Sequence, residues 1–301
     1  MPIPLACFSI ILIWSTTPLA IQWSTQGAGF ALAVLLRMVV GLLVVSLVVV
    51  GARIGLPLHA RARRAYLIGG LGTFGAMTLT YWGSRYLHSG LVSVLWGLSP
   101  LMTGLLAALV LGEKSLTPLK IGGTLLGIGG LALIFLQGDS LGGAHALTGL
   151  LAVLVAVFIH AGSMVWLKQI GDDSPPLATT LGSLAIAVPL FALSWLLSDG
   201  QLPSQIQPRA SWAIVYLGIF GSVIAFALHY YVIKHLHISK VSLITLVTPV
   251  LALLLGNLLN GEAISPRLWA GASTILLGLL IHQWDGVRPL LQQGWGRLRS
   301  V

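Results

Sequence analysis

An arginine in the middle of an apolar run demands a chemical explanation, and Arg37 is such a residue. It stands about eight residues into the segment 29–50, or ~12 Å along a helix that rises ~1.5 Å per residue. A bilayer's hydrocarbon core is ~30 Å thick. Arginine at a helix centre costs about 2.5–3.5 kcal/mol on insertion scales, so the group faces a cavity or a partner. Its planar fork matches a carboxylate. The alternatives are that it snorkels to the interface or hydrogen-bonds freed backbone carbonyls. His160 lies about twelve residues into the apolar segment 147–168. It is either a neutral hydrogen-bonding member of the core or a titrating group that lines a pathway, since imidazole ordinarily titrates near neutral pH. His229 and His282 lie nearer segment ends, where an interfacial role suffices.

Three prolines add acceptors. A proline inside a helix removes one backbone bond and displaces the carbonyl four residues earlier. Pro18, Pro100 and Pro249 are expected to kink their helices and to free the carbonyls of Trp14, Trp96 and Thr245. Trp14 and Trp96 then set large aromatic faces beside unpaired acceptors, which suits an amphipathic solute with an amine or hydroxyl; plain structural kinks are the other reading. Tyr81 and Tyr230 are matched candidates from two related segments. The candidate substrate-binding set is therefore Trp14, Arg37, Tyr81, Trp96, His160 and Tyr230.

The acidic inventory is Glu113, Asp139, Asp172, Asp173, Asp199, Glu262 and Asp285, all in loops or at segment ends. With no carboxylate expected inside the membrane, exchange of a buried proton for a cationic drug lacks its central group. Glu113 and Glu262 each follow a glycine at a segment end, where capping or loop anchoring explains them better than solute contact. No metal site, cofactor or catalytic residue is expected. An intramembrane protease would need paired acids or His-Glu-x-x-His, and the His160/Ser163 pair is the remaining catalytic alternative.

The elements that must position these groups follow from composition. The 301 residues are 56% hydrophobic and 8% charged, with mean hydropathy +0.96, whereas globular chains carry about 25% charged residues. Ten segments reach the ~20 residues that a membrane helix needs: 3–23, 29–50, 66–86, 88–111, 118–136, 147–168, 176–197, 210–233, 238–260 and 267–284. The first is retained as a span, since it lacks the basic lead of a signal peptide. Trp23, Trp269, Trp284 and Tyr66 fall near segment ends, as interfacial aromatics do. The net charge of +9 is scattered over short loops, which excludes nucleic acid and fits a positive-inside pattern. Arg85, Arg209 and Arg267 mark the poorer side, so both termini are expected in the cytoplasm. Cys7 has no partner for an internal disulfide.

Residues 81–123 can be laid over 230–272 without a gap, with about 13 of 43 pairs identical where composition alone gives roughly 4. Tyr81/Tyr230, His88/His237, Pro100/Pro249 and Glu113/Glu262 are among them. Each half holds five segments, an odd number, so the halves enter the bilayer in opposite senses. The expected fold class is an all-α integral membrane protein, ten transmembrane helices as two inverted five-helix repeats. Residues 1–140 form the first, 141–285 the second, and 286–301 a basic cytoplasmic tail. Glycines at Gly123 and Gly127, with Gly122/Gly129 recurring as Gly271/Gly278, make a small-residue contact pattern. They are expected to pack segments five and ten against each other or against a second protomer, leaving monomer and homodimer both open.

The run Trp14-Ser15-Thr16, Arg37-Met38, the Pro100 helix and the Gly112-Glu113-Lys114 exit resemble the drug/metabolite transporter superfamily, and more narrowly its ten-helix EamA-type members. The resemblance covers nearly the whole chain. It implies a carrier of the bacterial inner membrane, often an exporter of amino acids or related metabolites. The second half departs from the pattern, with Ser163 opposite Trp14 and Ile186 opposite Arg37. Alternating-access transport of a small zwitterionic, anionic or neutral metabolite is the expectation. A proton-coupled antiporter, a channel-like facilitator and, more remotely, an intramembrane enzyme are the alternatives.

Overall fold

The computed structural model describes residues 2–112, 117–135, 145–198, 200–235, 238–263 and 265–284. Among them every regular element is helical. The helices are α1 (Ile3–Thr25), α2 (Phe30–Gly51), α3 (Ala60–Gly83), α4 (Ser89–Trp96), α5 (Ser99–Leu111), α6 (Pro118–Phe135), α7 (Ala146–Ile170) and α8 (Pro176–Ser198). After these, α9 (Pro208–Tyr216) runs through a π-helical segment, Leu217–Ile224, into α10 (Ala225–His235); α11 (Ile238–Asn260) and α12 (Pro266–His282) follow. Six stretches are long and apolar enough to cross a membrane: 3–25, 30–51, 89–111, 146–170, 176–198 and 208–228. Shorter apolar helices occupy 118–134 and 246–260.

The outside of the bundle is as apolar as its inside. Leu47, Leu197, Trp212 and Leu258 are each at least 74% exposed, a surface that water would not tolerate on this scale. This is a multi-pass membrane protein.

Local departures from the sequence expectation have physical causes. Helix α3 starts six residues earlier than its apolar run, because His59 Nδ1 accepts the Ala62 N–H at 3.2 Å and starts the helix among Arg61, Arg63 and Arg64. The segment 88–111 is two helices. Gly97 and Leu98 donate to Ser93 and Leu95, and Pro100 enters at the start of α5, where its missing N–H is harmless. Gly97 and Leu98 keep right-handed helical backbone, so the break lies within one apolar stretch, in the residues just before Pro100. Pro18 and Pro249 stand inside helices that continue past them, and Pro189 does the same in α8.

Packing relates distant segments in pairs. Helix α1 lies on α11 and on the α9–α10 rod; α7 lies on α5 and on α3; α2 meets the π-helical segment while α8 meets α3. Helices α6 and α12 face each other over glycines within the chain, one of the two contacts that the small-residue pattern allows. Gly123, Gly271 and Gly278 lie at this contact as expected, whereas Gly122 and Gly129 do not. A Cβ on Gly123 would lie 2.6 Å from His282 N, and one on Gly130 would lie 2.7 Å from Gly271 O. Around Gly122 and Gly129 nothing lies within 4 Å. One residue is ~100° of helix, so neighbouring glycines point to different faces. Gly123→Val is expected to destabilise the protein by about 1–3 kcal/mol, read as a lowered melting temperature in detergent, while Gly122→Ala leaves it unchanged or slightly raised.

Candidate functional site

Arg37 sits on the buried face of α2 with Ala33, Gly41 and Val45, at four-residue steps that keep one stripe of the helix inward. It is 5% exposed. Nε donates to Ser222 Oγ at 3.1 Å, and Nη1 reaches the Tyr81 hydroxyl at 3.5 Å. The guanidinium carbon lies 6.0 Å from the Tyr81 ring centre. Nη2 donates to no described residue, and the ion pair found among described residues lies elsewhere, between His59 and Asp172. The protein thus holds a buried cation on neutral oxygens.

Ser222 reaches Arg37 because its own turn is unusual. Its hydroxyl donates to Leu217 O, five residues back, at 3.0 Å, the spacing of the π-helical turn in which it lies. Single π-turns inside α-helices are frequent at functional sites. Close approach to α2 is secured by Gly218, where a Cβ would collide with Val40 and lie 3.0 Å from Arg37 O. Nothing in residue types or spacing announces a π-turn, so Ser222 escapes a reading of the sequence.

The other candidates fall into separate groups. The rings of Trp96 and His160 lie 5.1 Å apart at 60°. Trp14 packs in a small cluster with Ile10, Val232 and Ile244. Tyr81 is fully buried and joins Arg37; the Tyr230 side chain lies outside the described residues. Two cavities, of about 460 and 260 Å³, lie at His59–Asp172 and at Thr25–Arg85, and none of the six candidates lines either. Ser163 donates its hydroxyl to the backbone carbonyl of His160 at 2.9 Å, which removes the catalytic Ser/His reading of that pair.

The run around Trp14 anchors α1 to the second half of the chain. Ser15 donates to Thr248 O at 3.3 Å, beside Pro249, and Thr16 Oγ1 shares a 2.6 Å hydrogen bond with the Tyr216 hydroxyl.

Acids need a correction. Glu262 follows α11 in sequence as expected, yet it is only 6% exposed. Its carboxylate turns into the bundle and accepts the Gly90 N–H at 3.3 Å and Asn260 Nδ2 at 3.0 Å. It caps α4 from 172 positions away. Asp172, after α7, has a side chain 6% exposed, 3.6 Å from His59 Nε2. A loop position therefore does not make a carboxylate solvated. Glu113, Asp139, Asp199 and Asp285 lie outside the described residues.

The model of the EamA-like transporter family matches the chain twice, over residues 1–136 and 147–282. The chain belongs to that family. Among its relatives, the uncharacterized transporter YoaV of Bacillus subtilis is 25% identical over 92% of this chain and 95% of its own length. A probable terminal-alkyne amino-acid exporter of Streptantibioticus cattleyicolor is also 25% identical, over 90% of each chain. A solved crystal structure superposes with TM-score 0.65 over 94% of this chain and 97% of that one, at 24% identity, and so shares the fold. For this EamA protein, Ser222→Ala is expected to lower stability by about 1–3 kcal/mol, since it leaves a buried cationic donor unmatched. Tyr81→Phe should cost less, because a 3.5 Å contact is at the limit of a hydrogen bond. Thermal unfolding of both variants checks the order.

Proposed function

We propose that this EamA-family protein is a secondary carrier that exports small carboxylated metabolites, amino acids or their relatives, by alternating access. The observation that carries the reading is Arg37, a buried guanidinium held by Ser222 and Tyr81 with no carboxylate beside it among the described residues. An anionic solute group would return much of the cost of burying that charge, and a lipophilic cation would add to it. Tyr81 and Arg37 are sealed here, so they belong to a state closed over the site; Trp96 and His160, both partly exposed, supply an apolar wall with a polar edge. The family match in two halves, and packing in which α1 relates to α11 as α7 relates to α5, support ten spans in two inverted repeats with the solute between them. The exporter of Streptantibioticus cattleyicolor supports the amino-acid class.

The positive-inside pattern supports a bacterial inner-membrane orientation with both termini cytoplasmic and with the ends at Arg85, Arg209 and Arg267 outward. A monomer is the simplest working unit, since the facing glycines of α6 and α12 are occupied within one chain.

Flux in liposomes tests the substrate class. Arg37→Ala is expected to lower uptake of a labelled hydrophobic amino acid at least about tenfold, the effect of losing ~1.4 kcal/mol, and to leave the matching uncharged amide within about twofold. Equal loss for both compounds would sink the assignment of Arg37. Orientation is checked by labelling Leu56→Cys in a Cys7→Ser background; reaction from the outside of intact cells contradicts the topology.

A further inference from the structure

One end of the bundle is closed by polar contacts that join the two halves of the chain. Gln22, at the end of α1, donates to Leu87 O at 2.5 Å and Ser84 O at 3.4 Å. Asn260, at the end of α11, donates to Gln22 Oε1 at 3.3 Å and to Glu262 Oε1 at 3.0 Å, and accepts from Trp23 Nε1 at 3.3 Å. Glu262 then holds the first turn of α4 through Gly90, and Asn257 Nδ2 pins its backbone carbonyl at 2.8 Å. Four chain segments, α1, the 84–88 turn, α4 and the end of α11, are joined through the Glu262 carboxylate and the amides of Gln22 and Asn260.

Beside this carboxylate, Ser89 Oγ is buried and has no hydrogen-bond partner. A Cβ on Gly256 would lie 2.7 Å from the serine oxygen and would also collide with the carboxylate, so both oxygens face that glycine. A serine hydroxyl both donates and accepts, so it can take the O–H of a protonated carboxyl as well as donate to an ionised one. Ionised, Glu262 accepts from Gly90 and Asn260 and complements the positive end of α4. Protonated, it loses about half the strength of those charge-assisted bonds and turns its new O–H toward Ser89.

We propose that Glu262, with Ser89 as its second partner, is a proton-binding site that controls this mouth: ionised it latches α1, α4 and α11 together, and protonated it releases them. The proton comes from water at that face and no other bond changes. The idea rests on the carrier reading for its purpose but not for its test, which needs no substrate.

Other ionisable groups on the neighbouring elements are accounted for. Arg85 and His88 precede α4; the Arg85 guanidinium stacks on Phe30, 4.6 Å from its ring centre. Arg209 sits 3.9 Å over the Trp23 ring. Arg267 begins α12, His145 precedes α7, and His160 lies midway along it. Helix α1 has no charged residue, Lys240 is at the far end of α11, and Lys168 and His282 are at the far ends of α7 and α12. No ion pair to Glu262 exists among the described residues, so the latch answers to the carboxylate's own proton.

Pulsed electron-spin distance measurement on the full chain in lipid nanodiscs tests this, with labels at exposed Gln26→Cys and Ala263→Cys in a Cys7→Ser background. Between about pH 8 and pH 4 the longer-distance population is expected to rise about threefold or more. Glu262→Gln and Gly256→Ala should show the long distance at both ends of the range. A distribution that ignores pH, or a shift that persists in Glu262→Gln, overturns the proposal. Should Glu262→Gln fail to insert, Ser89→Ala decides: it is expected to abolish the acidic shift without changing charge, and an intact shift refutes the site. Failure here leaves the Arg37 flux experiment standing, and the reverse holds.

Discussion

Hydrocarbon accepts no hydrogen bond, and nearly every feature of this protein follows from that. A polar group within the membrane must find its partner inside the chain. The answers are local where they can be. Thr17, Ser46, Thr80 and Thr124 return their hydroxyls to carbonyls four residues back, within one turn. Where a local answer is impossible the chain must reach across itself. Arg37 is the extreme case, since a guanidinium carries five N–H donors and no acceptor. Satisfying even part of it requires a hydroxyl from α3 and another from the π-helical turn. The position of three helices is thereby tied to one charge.

Glycine is the complementary tool. Without a strong hydrophobic force between helices in lipid, contact depends on close approach. The facing pair of α6 and α12 brings Gly123 against Gly278 and Gly130 against Gly271, while Gly218 does the same for the π-helical segment against α2. Polar reach and backbone proximity are coupled at that second place. The missing side chain of Gly218 is what allows Ser222 to come within 3.1 Å of Arg37.

Much of this was legible beforehand, for reasons that differ from residue to residue. Helix positions could be read because membrane-length apolar runs are long and bounded by Gly, Pro and charge, and the observed limits mostly agree to within two or three residues. Arg37 stood out because its cost in an apolar run is unmistakable. What stayed hidden was whatever depends on direction, not on identity. Gly122 and Gly123 are the same residue type, yet only the second faces α12. The carboxylate of Glu262 belongs to a loop by sequence and to the interior by contact. Ser15 and Thr16 stood out only as part of a family-like run, and their role in tying α1 to Thr248 and Tyr216 could not be read from it. The π-turn was invisible because it changes the hydrogen-bond count without changing composition.

The break at Gly97–Leu98 gives the chain something that a continuous helix lacks. Helix α4 packs chiefly on α11 and also on α1 and α7, whereas α5 packs chiefly on α7. A straight rod of 23 residues would transmit any tilt from one group to the other. Two short rods meeting at a break pass less of it on, so each end of the segment answers first to its own chief neighbour: α11 for the one, α7 for the other.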